Sequence, residues 1–257
     1  MLTKRFKGTI FHQKELAQMK ESIWNGFKRL DFDFEGHEAI LVFPNNPTKE
    51  KHWLYKVLYF EAFQDFELEM LERGWYLACV SGITRWVVEE DLDIRKRFAT
   101  YLKEEFGLYE KCVPVGMSCG GLVATKLAAK YPEIISALYL DAPVMNFLSC
   151  PAGLGKGTTE MFQEFMDATG MDLIQLLNYR ENPIDKKHIL LENNIPIIMV
   201  YGDADDVVPY DENGEILEKF YKENGGTMVT IGKHCGHHPH GLEDKTPLIE
   251  FVEKYCK

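Results

Sequence analysis

The sequence predicts an α/β fold: a mostly parallel central sheet with helices on both faces, in one domain spanning 1–257, with a small helical cap insertion at about 146–190. Three observations carry this. Strand-like apolar runs and amphipathic helical stretches take turns along most of the chain, the pattern of strand–helix–strand crossovers. No internal repeat, low-complexity run or linker divides the chain. One interval, from Pro143 to Pro196, keeps helical periodicity with no strand inside it.

The elements follow in order. FKRLDFDFEGHEAILVF, from Phe27 to Phe43, alternates apolar and polar residues, breaks at Glu35-Gly36-His37 and then turns continuously apolar. That predicts an antiparallel hairpin leading into a buried strand. A helix is expected across Leu54 to Arg73, a strand over Trp75 to Val80, a helix over Leu92 to Phe106 and a strand over Cys112 to Val115. Then come a helix from Gly121 to Tyr131 and strands from Ile135 to Leu140 and Ile195 to Tyr201. A helix near Asn213 to Asn224, a strand from Thr227 to Ile231 and a helix from Pro247 to Tyr255 complete the set. Within the insertion, helical patterns run from Thr159 to Thr169 and from Met171 to Tyr179, after glycines at 153, 155 and 157. A segment of this kind becomes either a cap over the strand ends or a longer surface connection.

Composition narrows the function classes. Residues are 46% hydrophobic and 27% charged, within the globular range. Forty Asp and Glu against 29 Lys and Arg give a net charge of -11, which disfavours phosphate backbones and anionic membranes as partners. Met1 to Gly26 shows no apolar stretch behind a basic head, and no run is long enough to cross a bilayer, so a cytoplasmic location is expected. Cys79, Cys112, Cys119, Cys150, Cys235 and Cys256 form no C-x-x-C pair, and reduced thiols are expected. Oligomeric state is left open.

Three segments carry chemistry. Gly116-Met117-Ser118-Cys119-Gly120 is a G-x-S-x-G between a strand and a helix. So sharp a turn strains the serine backbone, and flanking glycines leave room for it, so the hydroxyl is presented at the tip. Pro114 argues for a short or irregular strand before it. A serine nucleophile needs a base and an orienting acid. Gly202-Asp203-Ala204-Asp205-Asp206-Val207-Val208-Pro209 follows one strand and offers three carboxylates. His234-Cys235-Gly236-His237-His238-Pro239-His240-Gly241 follows the next and holds four of the eight histidines. Metal binding or a structural role could also account for that cluster. Zinc suits imidazole and thiolate, but His237 and His238 are adjacent rather than at helical spacing, and no H-E-x-x-H occurs. Neither a metal nor a cofactor is expected.

In this order after successive strands, the GMSCGG, GDADDVVP and CGHHPHG segments resemble the nucleophile elbow, acid loop and histidine loop of the α/β-hydrolase superfamily. The whole-chain pattern, with Leu140-Asp141-Ala142-Pro143 and Asn182-Pro183-Ile184-Asp185, is also similar to bacterial prolyl-oligopeptidase-like or carbohydrate-associated esterases. The resemblance implies Ser118 as nucleophile, Asp205 rather than Asp203 or Asp206 as acid, and His237 rather than His238 or His240 as base. It further implies an oxyanion hole from the Cys119 amide and one amide of an early loop. Phe43-Pro44-Asn45-Asn46-Pro47-Thr48 looks like the His-Gly-Asn-Pro-Thr variant with Pro44 and Asn45 in place of His-Gly, so Asn46 is the matching donor.

Trp53, Tyr55 and Trp86 are expected in loops after strand ends, and Phe147, Phe162 and Phe165 in the cap; Trp53, Trp86 and Phe147 are the candidate substrate contacts. The function this implies is hydrolysis of a small carboxylic ester, acetyl or another short acyl group on a sugar or aromatic alcohol, through an acyl-enzyme. A small-peptide amidase with the same triad and a non-catalytic ligand-binding protein of the same fold are the alternatives.

Overall fold

The computed structural model describes residues 19–256, so the reading of Met1 to Gly26 lies largely outside the described residues. Nine strands form one sheet: β1 (Lys20–Trp24), β2 (Phe27–Phe34), β3 (His37–Phe43), β4 (Trp53–Lys56), β5 (Tyr76–Val80), β6 (Val113–Met117), β7 (Leu138–Asp141), β8 (Ile197–Gly202) and β9 (Met228–Lys233). Among the described residues, eight helices accompany them: α1 (Asp65–Glu72), α2 (Glu89–Phe106), α3 (Cys119–Lys130), α4 (Phe162–Thr169), α5 (Leu173–Asn178), α6 (Pro183–Glu192), α7 (Gly214–Glu223) and α8 (Thr246–Tyr255). The sheet order is β1-β2-β3-β5-β4-β6-β7-β8-β9. The first four of these strands pair antiparallel, and from β5 to β9 every pair is parallel.

The predicted hairpin is β2–β3, with a positive φ at both Glu35 and Gly36 in its turn. Alternation along the parallel strands splits the core into two layers. Leu54, Val113, Val115, Ile198 and Val200 face α1 and α8, which contribute Phe66, Met70, Leu248 and Val252. Tyr55, Ala78, Leu140, Ile197 and Met199 face the other way, toward Phe98 of α2, Leu122 and Leu127 of α3, Leu190 of α6 and Leu217 of α7. With both faces covered, a central strand can be apolar throughout, as β7 and β8 nearly are. Pro114 sits in β6 without disturbing it. Pairing toward β7 is interrupted there, passing from the isolated bridge Cys112↔Ile135 to Val115↔Tyr139, so the missing N–H falls in the interruption.

The stretch read as a helix across Leu54 to Arg73 divides differently. Trp53–Lys56 is the buried parallel strand β4, a loop follows, and only Asp65–Glu72 is helical. Four consecutive buried residues satisfy a strand covered on both faces as well as they satisfy a helix, and here the sheet takes them. Between β7 and β8 the insertion contains α4 and α5, as expected, followed by α6. This last helix starts at Pro183 with Asp185 capping the Asn182 N–H, and it packs on α3 as a crossover helix.

Candidate active site

Each chemical segment follows one of three parallel strands, at their C-terminal ends, where a parallel sheet leaves its crevice. Ser118 links β6 to α3 with φ 53° and ψ -121°. A non-glycine residue held there costs on the order of 1–3 kcal/mol, and the surroundings hold it. Its N–H donates to the Asp141 carbonyl at 2.9 Å, and its own carbonyl accepts from Gly121 and Val144. The flanking glycines are required by close approach. A Cβ on Gly116 would lie 2.4 Å from the Gly120 oxygen, and one on Gly121 2.2 Å from the Cβ of Pro143.

Ser118 Oγ lies 3.0 Å from His237 Nε2, and His237 Nδ1 lies 2.8 Å from Asp205 Oδ2. The other Asp205 oxygen accepts the N–H groups of Val207 and Val208 at 3.0 and 2.8 Å. Asp205 and His237 are both buried, so the carboxylate is held by donors on each oxygen and has little water to compete with. The competing acids stand elsewhere: Asp206 is exposed, and Asp203 pairs with the exposed His234. Burial pushes the Cys119 thiol up to about 11, so the sulfur next to Ser118 is protonated and is no rival nucleophile.

A second buried imidazole–carboxylate pair lies beside the first, and sequence reasoning missed it. His240 Nδ1 is 2.8 Å from Asp141 Oδ1, whose other oxygen accepts the Gly241 N–H at 2.7 Å. The two partners are 99 residues apart: Asp141 ends β7, and His240 lies in the loop after β9, two strands along the sheet. His238, exposed, stacks on Phe63. Partial burial and the neighbouring imidazoles of His240 and His237 hold its pKa below the usual histidine value.

Ser118, His237, His238 and His240 open into a cavity of about 390 Å³. Tyr59, Phe63 and Met117 give it an apolar side, and Arg85, Thr158, Glu160 and Met161 complete the rim. The last three belong to the insertion. Arg85 forms a forked ion pair with Glu164 of α4, and Trp86 Nε1 donates to the same carboxylate at 3.0 Å, which ties the insertion to the loop after β5.

Four expected contacts are not at this cavity. β3 runs antiparallel to β5, with Val42 opposite Leu77, so the loop after Phe43 returns beside the start of the parallel strands. Asn46 accordingly packs its carbonyl on Gly74, at the end of the sheet remote from Ser118, and is no oxyanion donor. The loop that does reach Ser118 follows β4: Val57 and Leu58 lie against Gly120, and Tyr59, at φ 56°, lines the cavity. Trp53 begins β4, at the same remote end, and donates its Nε1 to the Tyr109 carbonyl. Trp86 and Phe147 are fully buried and pack with Phe165 under the insertion. All three are core, since a parallel sheet covered on both faces takes up large rings wherever they fall.

The sequence model of the prolyl oligopeptidase family matches residues 82–257, a stretch that takes in the Ser118, Asp205 and His237 segments. No curated protein matches the chain in sequence. Among solved structures, the acylaminoacyl peptidase of Pyrococcus horikoshii is 17% identical with a TM-score of 0.64, over 90% of this chain and 39% of that one. Dipeptidyl peptidase 4 of Porphyromonas gingivalis is 15% identical with a TM-score of 0.63, over 92% of this chain and 35% of that one. An S-formylglutathione hydrolase from Agrobacterium tumefaciens is 13% identical with a TM-score of 0.59, over 86% of this chain and 92% of that one. The likeness to these structures is one of fold. The chain spans about two fifths or less of the length of the two peptidases and nearly all of the third protein.

Proposed function

The chain belongs to the prolyl oligopeptidase family of the α/β-hydrolase superfamily, and we propose that it is a serine hydrolase that cleaves a short acyl ester through an acyl-enzyme formed on Ser118. One observation carries the reading: the hydrogen-bonded chain from Ser118 Oγ through His237 to Asp205, with the serine on a strained turn at the mouth of a cavity.

His237 donates its Nδ1 proton to Asp205 and so presents the Nε2 lone pair to the serine hydroxyl. As Ser118 Oγ attacks the acyl carbon, its proton passes to Nε2, and the imidazolium that forms is stabilised by the Asp205 carboxylate. That proton then goes to the departing alcohol oxygen. A water molecule enters, gives its proton to the same nitrogen and attacks the acyl carbon; that nitrogen then returns the proton to Ser118 Oγ as the bond from Oγ to the acyl carbon breaks, which releases the acid and restores the serine. Charge on the tetrahedral oxygen is met by the Cys119 amide, in the first turn of α3 where N–H groups lack helical partners, and by the Tyr59 amide from the loop after β4. Tyr59 takes the role expected of Asn46.

The cavity favours a small substrate, since about 390 Å³ lies at the low end of the roughly 300–1,000 Å³ of small-molecule sites. The S-formylglutathione hydrolase among the structural relatives, whose name gives a substrate with a one-carbon acyl group, points the same way. A second reading, cleavage of short aminoacyl amides, is favoured by the peptidases among the structural relatives and by Glu160, a carboxylate at the rim able to receive a free amine. A screen of p-nitrophenyl acetate and butyrate, acetylated sugars and aminoacyl p-nitroanilides separates the two. Turnover of the acyl esters with none of the amides is expected; the reverse preference would overturn the ester reading and leave the serine mechanism standing.

A further inference from the structure

The histidine loop holds more imidazole than acyl transfer uses. His237, His238 and His240 place one ring nitrogen each within 4.8 Å of one another. Their rings meet edge to face, with centroids 4.9–5.0 Å apart in all three pairs, so they surround a common point instead of stacking in a column. His237 and His240 each use Nδ1 toward a buried carboxylate, Asp205 and Asp141 respectively. In both rings this sets the tautomer that carries its lone pair on Nε2, which in His237 faces the Ser118 hydroxyl. Carboxylate-backed imidazole is the arrangement that orients and strengthens histidine as a metal ligand. Phe63 lies parallel to His238 and edge-on to His240, so the two rings the serine mechanism does not employ share one aromatic wall. The site is also reachable, because His238 is exposed and all three histidines line the cavity wall.

We propose that His237, His238 and His240 form a binding site for a borderline divalent cation, zinc above all, and that occupation of this site reversibly switches the hydrolase off. The inference rests on the proposed serine mechanism for its consequence but not for the site itself. Zinc takes imidazole nitrogen at about 2.0–2.1 Å in a tetrahedron, which from the present separations asks for rotation of the side chains, chiefly the exposed His238. The fourth position faces the cavity and is left to water. The consequence follows from a single atom: the His237 Nε2 lone pair that accepts the Ser118 proton is the one a metal would occupy. Ion binding therefore leaves the serine hydroxyl without its base. Magnesium and calcium prefer oxygen ligands and octahedral or larger shells, so neither should compete.

Two measurements test this on the full chain. Zinc chloride titrated by calorimetry into Ser118→Ala protein should bind at one ion per chain, and His238→Ala, at an exposed position and with its urea denaturation checked, should weaken binding by about tenfold or more. With wild-type protein, saturating zinc should lower p-nitrophenyl acetate hydrolysis by about tenfold or more, with full recovery on adding EDTA and no effect of magnesium. Absence of zinc binding, or binding undiminished in His238→Ala, would overturn the site. Binding without loss of turnover would overturn the switch. If the wild type hydrolyses none of the esters or amides, the catalytic reading fails while the calorimetry still decides the site.

Discussion

Replacing Asp205 with asparagine changes one atom and should remove most of the activity while sparing the fold. In the structure Asp205 Oδ1 accepts the N–H groups of Val207 and Val208, and Oδ2 faces His237 Nδ1. An asparagine keeps its carbonyl oxygen on the two backbone amides and so turns its NH₂ toward the imidazole. That NH₂ can only donate, which forces Nδ1 to be the acceptor and moves the ring proton to Nε2. The proton then points at Ser118 Oγ, and the lone pair that should accept the serine proton is gone. In the serine-protease template the same tautomer switch costs about 10⁴ in turnover. At ~1.4 kcal/mol per decade that is about 5.5 kcal/mol of barrier. Stability should change little, because both backbone hydrogen bonds survive. Asp206→Asn, at an exposed position one residue along, should stay within about 0.5 kcal/mol in stability and close to wild type in turnover. The assay is kcat on p-nitrophenyl acetate alongside urea denaturation for all three proteins. A crippled Asp206→Asn, or an Asp205→Asn within tenfold of wild type, would refute the tautomer argument.

Three further outcomes follow. Ser118→Ala and His237→Ala should each lower turnover by several orders of magnitude, with the double variant little worse than either, since the pair acts as a unit; additive losses in kcat would refute the shared step. Gly121→Ala should lose about 1–3 kcal/mol in urea denaturation, because its new methyl group meets Pro143 and the turn that carries Ser118 must shift. Phe147→Ala should cost about 3–5 kcal/mol of stability with KM for a short acyl ester nearly unchanged, which separates a core ring from a substrate contact.

The elements that were legible are those whose pattern admits a single reading. Phe27–Phe43 alternates and breaks at Glu-Gly, so the hairpin could be read from its side chains alone. The Ser118, Asp205 and His237 segments each follow an apolar run and carry residues with few other uses. β4 was hidden for a physical reason. Its four residues are all buried and include Lys56, which survives there only because Glu67 of α1 neutralises it at 2.5 Å, a partnership no local pattern announces. The expectation for Asn46 rested on the likeness of Phe43–Thr48 to a His-Gly-Asn-Pro-Thr pattern, and with β4 unread the loop after it was not considered. The antiparallel course of β3, visible only in the sheet pairing, sends Asn46 to the wrong end. The Asp141–His240 pair was illegible for the same kind of reason, since it depends on which strands become neighbours. α6 is not among the helices expected from the sequence, although Asn182-Pro183-Ile184-Asp185, a capping pattern with proline in the first turn, marks its start.

Whether Ser118 is an activated nucleophile decides the account, and a fluorophosphonate probe reads this without knowledge of the substrate. Wild-type protein at neutral pH should gain one adduct, located by peptide mass spectrometry at Ser118, and His237→Ala should label far more slowly. Folded wild-type protein that stays unlabelled, or that carries the adduct on another residue, would contradict the mechanism and favour a hydrolase fold that binds its ligand without turning it over.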